Sequence, residues 1–257
     1  MAAPKKALGQ HWLHDRASLE AMVAAAGIGP DDTVLEVGPG LGTLTELLVE
    51  TAHQVVAVEY DKQLAAELPE RVPAGNLRVV HQDILAFDLT SLPPGYKLCA
   101  NIPYYLTSNL IRVISDSPNS PAAAALLVQK EVAERVNAQP GQMSILSVTA
   151  QFNWQVGLGR EVPAQLFTPP PKVDSQILTL ERRDPPLFDD VDPNQFFRLV
   201  KAGFSQKRKT LLNSLSAGLH LPKPEVISLC EKAGIDISRR AQTLSLEEWH
   251  DLYKCFF

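Results

Sequence analysis

Short β-type runs alternate with helix-type stretches over the first two thirds of this 257-residue chain. Such alternation is typical of a parallel sheet whose strands are joined by crossover helices. The predicted strands are residues 33–37, 54–59, 77–81, 97–100, 123–128 and 176–181. The predicted helices are residues 43–50, 62–70, 107–115 and 131–137, with an earlier one from about Asp15, a plausible N-cap, to Ala26. The fold class is therefore α/β.

The pattern changes after Met143. Residues 144–162 fit either the end of a sheet or a helix followed by a strand, and the sequence leaves both open. Residues 183–193 are rich in proline and acid, as a linker would be. Beyond them the pattern is helical, and one face of an ideal helix carries Phe196, Val200, Phe204, Leu211 and Leu215. We therefore predict two domains, a catalytic α/β domain over residues 1–182 and a small all-α domain over residues 183–257.

The composition limits where the protein acts and what it binds. No apolar run approaches the roughly 18 residues of a membrane helix, and the first residues do not resemble a secretory signal. The three cysteines, Cys99, Cys230 and Cys255, fit neither a disulfide framework nor a CxxC metal site. We expect a cytoplasmic protein. Because its net charge is −5, any nucleic acid must be held by a local basic surface or with the help of a protein partner.

Three glycines follow the first predicted strand directly, in Glu36-Val-Gly-Pro-Gly-Leu-Gly42. Gly38, Gly40 and Gly42 let the backbone turn tightly and approach a ligand closely. Glu59 ends the second strand, where a carboxylate accepts hydrogen bonds from ribose hydroxyls. The combination predicts a nucleoside-containing cofactor; the alternative is a tight turn beside a solvated acid.

S-adenosylmethionine and NAD are the two candidate cofactors. Glu36 lies at the end of the first strand, where a carboxylate repels a pyrophosphate but tolerates a sulfonium-bearing amino acid. Asp83 follows the third strand and is able to accept a hydrogen bond from an adenine amino group, although a turn or cap role fits it equally. These features favour S-adenosylmethionine.

The segment Asn101-Ile-Pro-Tyr-Tyr105 follows the fourth strand, at the edge where open α/β sheets bind ligands. Adenine N6 is a poor nucleophile because its lone pair is delocalised into the ring. The Asn101 side-chain oxygen and the Ile102 carbonyl, held by Pro103, are candidate acceptors for the two N6 protons. Tyr104 is a candidate for stacking on an unpaired or flipped base. Phe167 is either a second aromatic wall or a core residue.

These motifs together resemble the KsgA (RsmA) family of small-subunit rRNA adenine N6,N6-dimethyltransferases, which is related to the Erm methyltransferases. The segments that carry the resemblance are Lys6-Ala-Leu-Gly-Gln-His-Trp-Leu13, Val34-Leu-Glu-Val-Gly-Pro-Gly-Leu-Gly-Thr-Leu-Thr45, Asn101-Ile-Pro-Tyr-Tyr105, Gln129-Lys-Glu-Val-Ala-Glu-Arg135, Phe167-Thr-Pro-Pro-Pro-Lys-Val-Asp-Ser175 and Phe204-Ser-Gln-Lys-Arg-Lys-Thr-Leu-Leu-Asn-Ser-Leu215. They run the length of the chain.

The resemblance implies a Rossmann-like methyltransferase domain that uses S-adenosylmethionine, followed by a helical domain. It implies dimethylation of two adjacent adenosines in the hairpin loop near the 3′ end of 16S rRNA, within an assembling small subunit. Carried over by position, the family's cofactor contacts are His11, Leu13, Gly38, Glu59, Asp83 and Asn101. The target-base contacts are Asn101, Tyr104 and Phe167.

Two departures from the family's pattern bear on the site. The family usually has Asn-Phe at the positions of His11 and Trp12, which leaves the His11 contact open. It usually has Gly-Asp at the positions of Gln82 and Asp83, a change of little expected consequence. His11 and His14 have a spacing that would let them face one metal ion, but no further ligands are near, so no metal is expected.

A basic run without any acid lies at the start of the helical region. Its members are Arg198, Lys201, Lys207, Arg208 and Lys209, which Lys5 and Lys6 join as possible partners. Such a run is either a solvated face or a set of phosphate contacts, and the acidic remainder of the chain favours the second. The competing functions are an Erm-like methyltransferase of large-subunit rRNA, a non-catalytic ribosome-assembly or transcription factor built on the same fold, and, more remotely, an NAD oxidoreductase. We expect an rRNA methyltransferase that acts as a monomer.

Overall fold

The structure, a computed structural model, describes residues 10–257. Its strands in that range are β1 (Trp12–Leu13), β2 (Thr33–Val37), β3 (Gln54–Glu59), β4 (Leu77–His81), β5 (Lys97–Asn101), β6 (Ala123–Gln129), β7 (Trp154–Val162), β8 (Phe167–Thr168) and β9 (Ser175–Arg182). Its α-helices there are α1 (Arg16–Ala25), α2 (Thr43–Thr51), α3 (Lys62–Arg71), α4 (Thr107–Asp116), α5 (Lys130–Val136), α6 (Ile145–Asn153), α7 (Pro193–Phe204), α8 (Leu211–Leu219), α9 (Lys223–Lys232) and α10 (Leu246–Phe256). Every predicted strand is present, and its ends agree to within one residue.

A seven-stranded sheet organises the first part of the chain. Its strand order is β4-β3-β2-β5-β6-β9-β7. Strands β2 to β6 pair in parallel, whereas β9 pairs antiparallel with β6 and β7. Val34, Leu98 and Leu126 are fully buried, as expected for central strands that are covered on both faces. The predicted α/β class is confirmed, and residues 144–162 form the helix-then-strand alternative.

The strand order reverses between β2 and β5. From β2 the chain runs outward through β3 to β4, then returns to place β5 on the other side of β2. In open α/β sheets a crevice lies at such a reversal, outside the carboxyl ends of the strands. The loops after β2, β3, β4 and β5 therefore meet at one place.

A small second sheet links the beginning of the described chain to residues 167–168. Strand β1 pairs antiparallel with β8, with Leu13 opposite Phe167. Helix α1 follows, and Asp15 caps it by accepting a hydrogen bond from Ser18 N at 2.9 Å. The predicted N-cap is confirmed.

Contacts divide the described chain into two compact units, residues 10–134 with 154–182 and residues 135–153 with 183–257. The boundary at 182/183 agrees with the sequence-based division. Residues 135–153, however, group with the C-terminal helices. The physical reason is α6, whose Val148 and Phe152 belong to the helical core; the Phe152 and Phe196 ring centroids are 4.8 Å apart.

The second unit is helical around a core that includes Phe196, Leu215 and Trp249. The single helical face expected from Phe196 to Leu215 is divided, because α7 ends at Phe204 and α8 begins at Leu211. Phe204 and Leu211 are seven residues apart, which is about two helical turns. The helical periodicity of the sequence therefore continues across the six residues that form a loop. Helix α10 begins with a capping box formed by Ser245 and Glu248.

The acidic, proline-rich stretch expected as a linker packs on the helical unit. The Phe188 ring stacks on His250 at a centroid distance of 4.1 Å, and His250 Nε2 lies 2.6 Å from Asp190 Oδ1. The Asp192 backbone N–H donates to the Tyr253 hydroxyl at 3.0 Å. Over residues 10–257, no helix has both the length and the apolar character needed to span a membrane.

Candidate active site

A cavity of about 430 Å³ lies in the first unit at the reversal of the strand order. The ends of four parallel strands line it. They contribute Val37 to Leu41 after β2, Glu59 and Tyr60 after β3, Gln82 to Leu85 after β4, and Asn101 to Leu106 after β5. Residues 10–13 close another side. The cavity thus collects most of the predicted cofactor and target-base residues.

The glycine loop brings backbone to the cavity wall. Gly40 has a φ of 59°, and a Cβ there would lie 3.3 Å from the Trp12 indole nitrogen. Gly42 has a φ of 91°, and a Cβ there would lie 2.9 Å from the side chains of Leu68 and Val72. Both positions therefore require glycine, for backbone conformation and for space. Gly38 and Gly40 line the cavity as predicted.

Glu59 is held rigidly at the end of β3. Its Oε1 accepts from Asp61 N at 2.8 Å, and its Oε2 accepts from Gly40 N at 3.1 Å. Burial raises the pKa of this carboxyl, while the backbone hydrogen bonds act in the opposite direction. Two fixed N–H groups orient the carboxyl and leave lone pairs for ribose hydroxyls.

Glu36 is the more deeply buried acid, only 1% exposed on β2. Burial raises its pKa to about 8, against a hydrogen bond from the Thr45 hydroxyl at 2.7 Å that lowers it. Charge repulsion from Glu59 contributes to this rise in the pKa of Glu36. Glu36 is therefore mainly neutral at pH 7, so its repulsion of a pyrophosphate is weaker than the sequence suggested.

Asp83 has the cap role, one of the two that the sequence left open. Its Oδ1 accepts from Leu85 N at 2.9 Å and so caps the 3₁₀ turn Ile84–Ala86. The residue also borders the cavity. The cap fixes the carboxylate and leaves its second oxygen for an adenine amino group.

Strand β1 and the residue before it supply three cavity residues, His11, Trp12 and Leu13. The Leu13 carbonyl accepts from the Thr43 hydroxyl at 3.0 Å. His11 Nδ1 lies 2.7 Å from the Pro169 carbonyl, which only accepts, so Nδ1 carries the proton and donates. Trp12 is 8% exposed, and its indole N–H has no partner within residues 10–257.

Asn101 ends β5 and borders the cavity. Its Nδ2 donates to the His11 carbonyl at 3.3 Å, which fixes the amide orientation. Its Oδ1 accepts nothing from the described residues and remains an acceptor for a substrate N–H. Ile102 and Pro103 follow in the cavity wall, and Pro103 precedes the 3₁₀ turn Tyr104–Leu106.

The two predicted aromatic walls have different environments. Tyr104 lines the cavity, its ring stacked on His11 at a centroid distance of 6.0 Å. Its hydroxyl is hydrogen-bonded to Ser175 Oγ at 2.8 Å, and burial raises its pKa. Phe167 does not line the cavity; it is 3% exposed and packs in the hydrophobic cluster with Leu13. This placement favours the core alternative for Phe167.

Sequence reasoning missed three aromatic residues that line the cavity, namely Trp12, Tyr60 and Tyr105. Tyr60 is 61% exposed and Tyr105 is 66% exposed. A signal was present for each, because each is the immediate neighbour of a residue that the motifs selected. Exposed aromatic rings at a cavity mouth offer stacking surfaces.

The five described members of the basic run lie in the second unit. Arg198 and Lys201 are exposed on α7, and Lys207, Arg208 and Lys209 are exposed in the loop 205–210. None of the five forms an ion pair with another described residue. Their charge is therefore available to phosphates. Lys5 and Lys6 lie outside the described residues.

The cavity lining can be tested against the expected cofactor. It contains three carboxyl groups and no lysine or arginine. A sulfonium and an ammonium suit such a lining, and the unpartnered Trp12 N–H offers a donor to a neutral or anionic oxygen. Among residues 10–257 no cluster of three or more metal-ligating side chains is present.

A doubly wound sheet that joins a glycine loop, a ribose-type carboxylate and Asn-x-Pro-Tyr in one acidic cavity defines a Rossmann-like, S-adenosylmethionine-dependent methyltransferase. A sequence model of the family described as ribosomal RNA adenine dimethylase matches residues 1–256. The chain belongs to that family. The expected family, enzyme class and cofactor are thereby confirmed.

Individual relatives agree with this assignment. The chain is 43% identical over 252 residues to ribosomal RNA small subunit methyltransferase A of Dehalococcoides mccartyi (strain CBDB1), covering 96% of this chain and 87% of the relative. It is 38% identical over 259 residues to the protein of the same name from Clostridium botulinum (strain Kyoto / Type A2), covering 98% and 94%.

Solved structures agree as well. A dimethyladenosine transferase from Plasmodium falciparum superposes with a TM-score of 0.82 at 27% identity, covering 94% of this chain and 96% of that one. The 23S rRNA methyltransferase ErmE superposes with a TM-score of 0.77 at 29% identity, covering 95% and 98%. Both likenesses extend over nearly the whole chain and so include its helical part.

Proposed function

We propose that the protein transfers methyl groups from S-adenosylmethionine to N6 of two adjacent adenosines in the hairpin loop near the 3′ end of 16S rRNA. The substrate is an assembling small ribosomal subunit, and the protein acts as a monomer in the cytoplasm. The observation that carries the proposal is the Asn101 amide, which ends β5 in the cavity with its oxygen free.

The chemistry requires two acceptors rather than a strong base. When bound, S-adenosylmethionine supplies an electrophilic methyl group. Asn101 Oδ1 accepts one N6 proton in a hydrogen bond, and the Ile102 carbonyl accepts the other. Together they favour a pyramidal nitrogen whose lone pair points away from the ring, and such preorganised acceptors act at no reorganisation cost. The proton leaves after the methyl group has been transferred.

Tyr104 holds the base in place during this step. Moving an adenine out of its base stack costs a few kcal/mol of stacking free energy. Stacking the base on an aromatic side chain offsets this cost by about 1–3 kcal/mol. The Tyr104 ring, stacked on His11, is the aromatic face in the cavity wall three residues after Asn101.

The free cations of the second unit serve the RNA backbone. Arg198, Lys201 and the loop lysines and arginine form no ion pair within the described chain, and they offset the net charge of −5 locally. Such contacts give affinity without sequence preference, which base recognition in the cavity then supplies.

Large-subunit rRNA is the second candidate substrate, favoured by the similarity to ErmE. The relatives named for the small subunit are 38–43% identical, against 29% for ErmE. This difference supports the small-subunit substrate.

The decisive experiment is transfer of radiolabelled methyl groups to small subunits that lack the dimethyladenosines. We expect label on two adjacent adenosines near the 3′ end. Asn101→Ala should reduce transfer at least 100-fold while the Kd for S-adenosylmethionine changes little, since the variant removes a preorganised transition-state acceptor.

Other outcomes point elsewhere. Label on large-subunit RNA alone would support the Erm-like substrate. Failure to label either RNA, with the cofactor still bound, would support a binding factor that keeps the fold. Full activity of Asn101→Ala would refute the role of its amide oxygen.

A further inference from the structure

The segment 163–175 does not border the cavity, yet it holds two side chains that do. In the middle of the segment, the Pro169 carbonyl accepts a hydrogen bond from His11 Nδ1 at 2.7 Å. At its end Ser175 Oγ is hydrogen-bonded to the Tyr104 hydroxyl at 2.8 Å. The two rings so held are the ones that stack on each other, at an interplanar angle of 19°.

Ser175 is a rigid anchor. It is completely buried and is the first residue of β9. Its neighbours across the sheet are Gln129 of β6 on one side and Val162 of β7 on the other. Tyr104, by contrast, lies on a short 3₁₀ turn in a loop. The hydroxyl pair therefore ties a loop ring to the sheet.

From this geometry we infer that Ser175 is a positioning residue for methyl transfer, which fixes the Tyr104 ring so that a stacked adenine presents N6 to Asn101. The effect on methyl transfer rests on the proposed function, whereas the restraint of the Tyr104 ring by Ser175 does not. The ring orientation sets the plane of the bound base. Reacting groups must be aligned closely, so a ring that rotates or tilts costs rate rather than cofactor affinity.

The test compares Ser175→Ala, Tyr104→Phe and the double variant. Tyr104→Phe leaves the fully buried Ser175 hydroxyl unsatisfied, and Ser175→Ala leaves the partly buried Tyr104 hydroxyl without this partner, so each single change destabilises the fold. Removing both hydroxyls relieves that penalty. We expect kcat for undermethylated subunits to fall roughly 3- to 10-fold in all three variants. The Kd for S-adenosylmethionine should stay unchanged. Thermal stability should fall in the single variants and recover in the double variant.

This pattern separates positioning from a structural role. If activity recovered in the double variant together with stability, Ser175 would be merely structural. If Tyr104→Phe alone lowered kcat, the tyrosine hydroxyl would act without Ser175. Either result would overturn the inference. Ser214→Ala is the matched control, because it removes another fully buried serine hydroxyl, one that lacks a partner among the described residues.

A second readout does not depend on activity. In protein labelled with ¹³C at the tyrosine ring carbons, we expect the Tyr104 ring to flip faster in Ser175→Ala than in the wild type. An unchanged flip rate would contradict the inference. An inactive wild type with the expected change in flip rate would instead contradict the proposed function, so the two failures are distinguishable.

Discussion

Glu36 gives the sheet a specific response to pH. Its pKa in the folded chain is about 8, above the ordinary value of 4.5, because burial favours the neutral acid. The contribution of protonated Glu36 to the free energy of unfolding is therefore fully present below about pH 4.5 and is lost as the pH rises to about 8. Over that window the unfolding free energy contributed by this group should fall by about 1.4 kcal/mol for each pH unit.

Glu36→Gln tests this assignment. The amide keeps an acceptor for the Thr45 hydroxyl but does not ionise, so the variant should lose less stability than the wild type between pH 5 and 8. Urea unfolding of the cofactor-free proteins at several pH values measures the difference. Parallel curves for the two proteins would show that Glu36 does not titrate in this window.

Trp12 predicts a separate effect on cofactor affinity. Its buried indole N–H lacks a partner within residues 10–257, and the cavity beside it contains no cationic side chain. Trp12→Phe keeps an aromatic ring but removes that donor. We expect roughly 3- to 10-fold weaker binding of S-adenosylmethionine and S-adenosylhomocysteine by calorimetry.

The matched control is Trp154→Phe. The Trp154 indole donates to Ser115 Oγ at 3.0 Å and does not border the cavity. Its loss should lower stability and leave cofactor affinity unchanged. Equal cofactor affinity of Trp12→Phe and the wild type would mean that the indole N–H plays no part in binding.

Single residues were predictable where a motif follows a strand. Gly38, Glu59 and Asn101 each come at the end of a strand, and parallel strands bring their ends together. Phe167 and Trp12 were harder, because they belong to two-residue strands. Such a short run carries no alternation that would tell which side faces a ligand.

At the scale of elements, the loop between α7 and α8 is the part that sequence periodicity did not reveal. Apolar positions continue across it because Phe204 and Leu211 are about two helical turns apart. Lys207, Arg208 and Lys209 therefore belong to no α-helix and lie together in one exposed loop.

This loop predicts a salt-dependent effect. Charge reversal with Lys207→Glu and Arg208→Glu should weaken binding to small subunits and reduce the slope of log K against log salt, since fewer counterions are released. Binding measured at several salt concentrations tests it. The control is Lys223→Glu with Lys232→Glu, an equal charge change at two exposed positions, the first and last residues of α9. If both pairs had the same effect, only net charge would matter.

At the scale of the whole molecule, the two-part organisation and the boundary near Arg182 were visible in the sequence as a change from α/β to helical patterning. The grouping of residues 135–153 with the C-terminal helices was not. It depends on Val148 and Phe152 packing with Phe196, a partner more than 40 residues away, and local patterns do not specify such partners.

The two units should respond differently to the cofactor. Ligand that binds the folded state alone stabilises it by about 2.7 kcal/mol at 100 times its Kd. Hydrogen exchange with saturating S-adenosylmethionine should therefore protect amides around Gly40, Glu59 and Asn101. Amides in α7 to α10 that exchange through local opening should exchange at unchanged rates. Protection centred on those helices would place the cofactor site elsewhere.

The grouping of residues 135–153 with the second unit also limits how the two units could be separated in the gene. Because the chain passes between the units three times, neither unit corresponds to one uninterrupted stretch of coding sequence. A fusion or recombination event at residue 182 would deliver the C-terminal helices without α6 and leave their core open. The helical unit is therefore not a portable module that could be exchanged at residue 182 without its α6 helix.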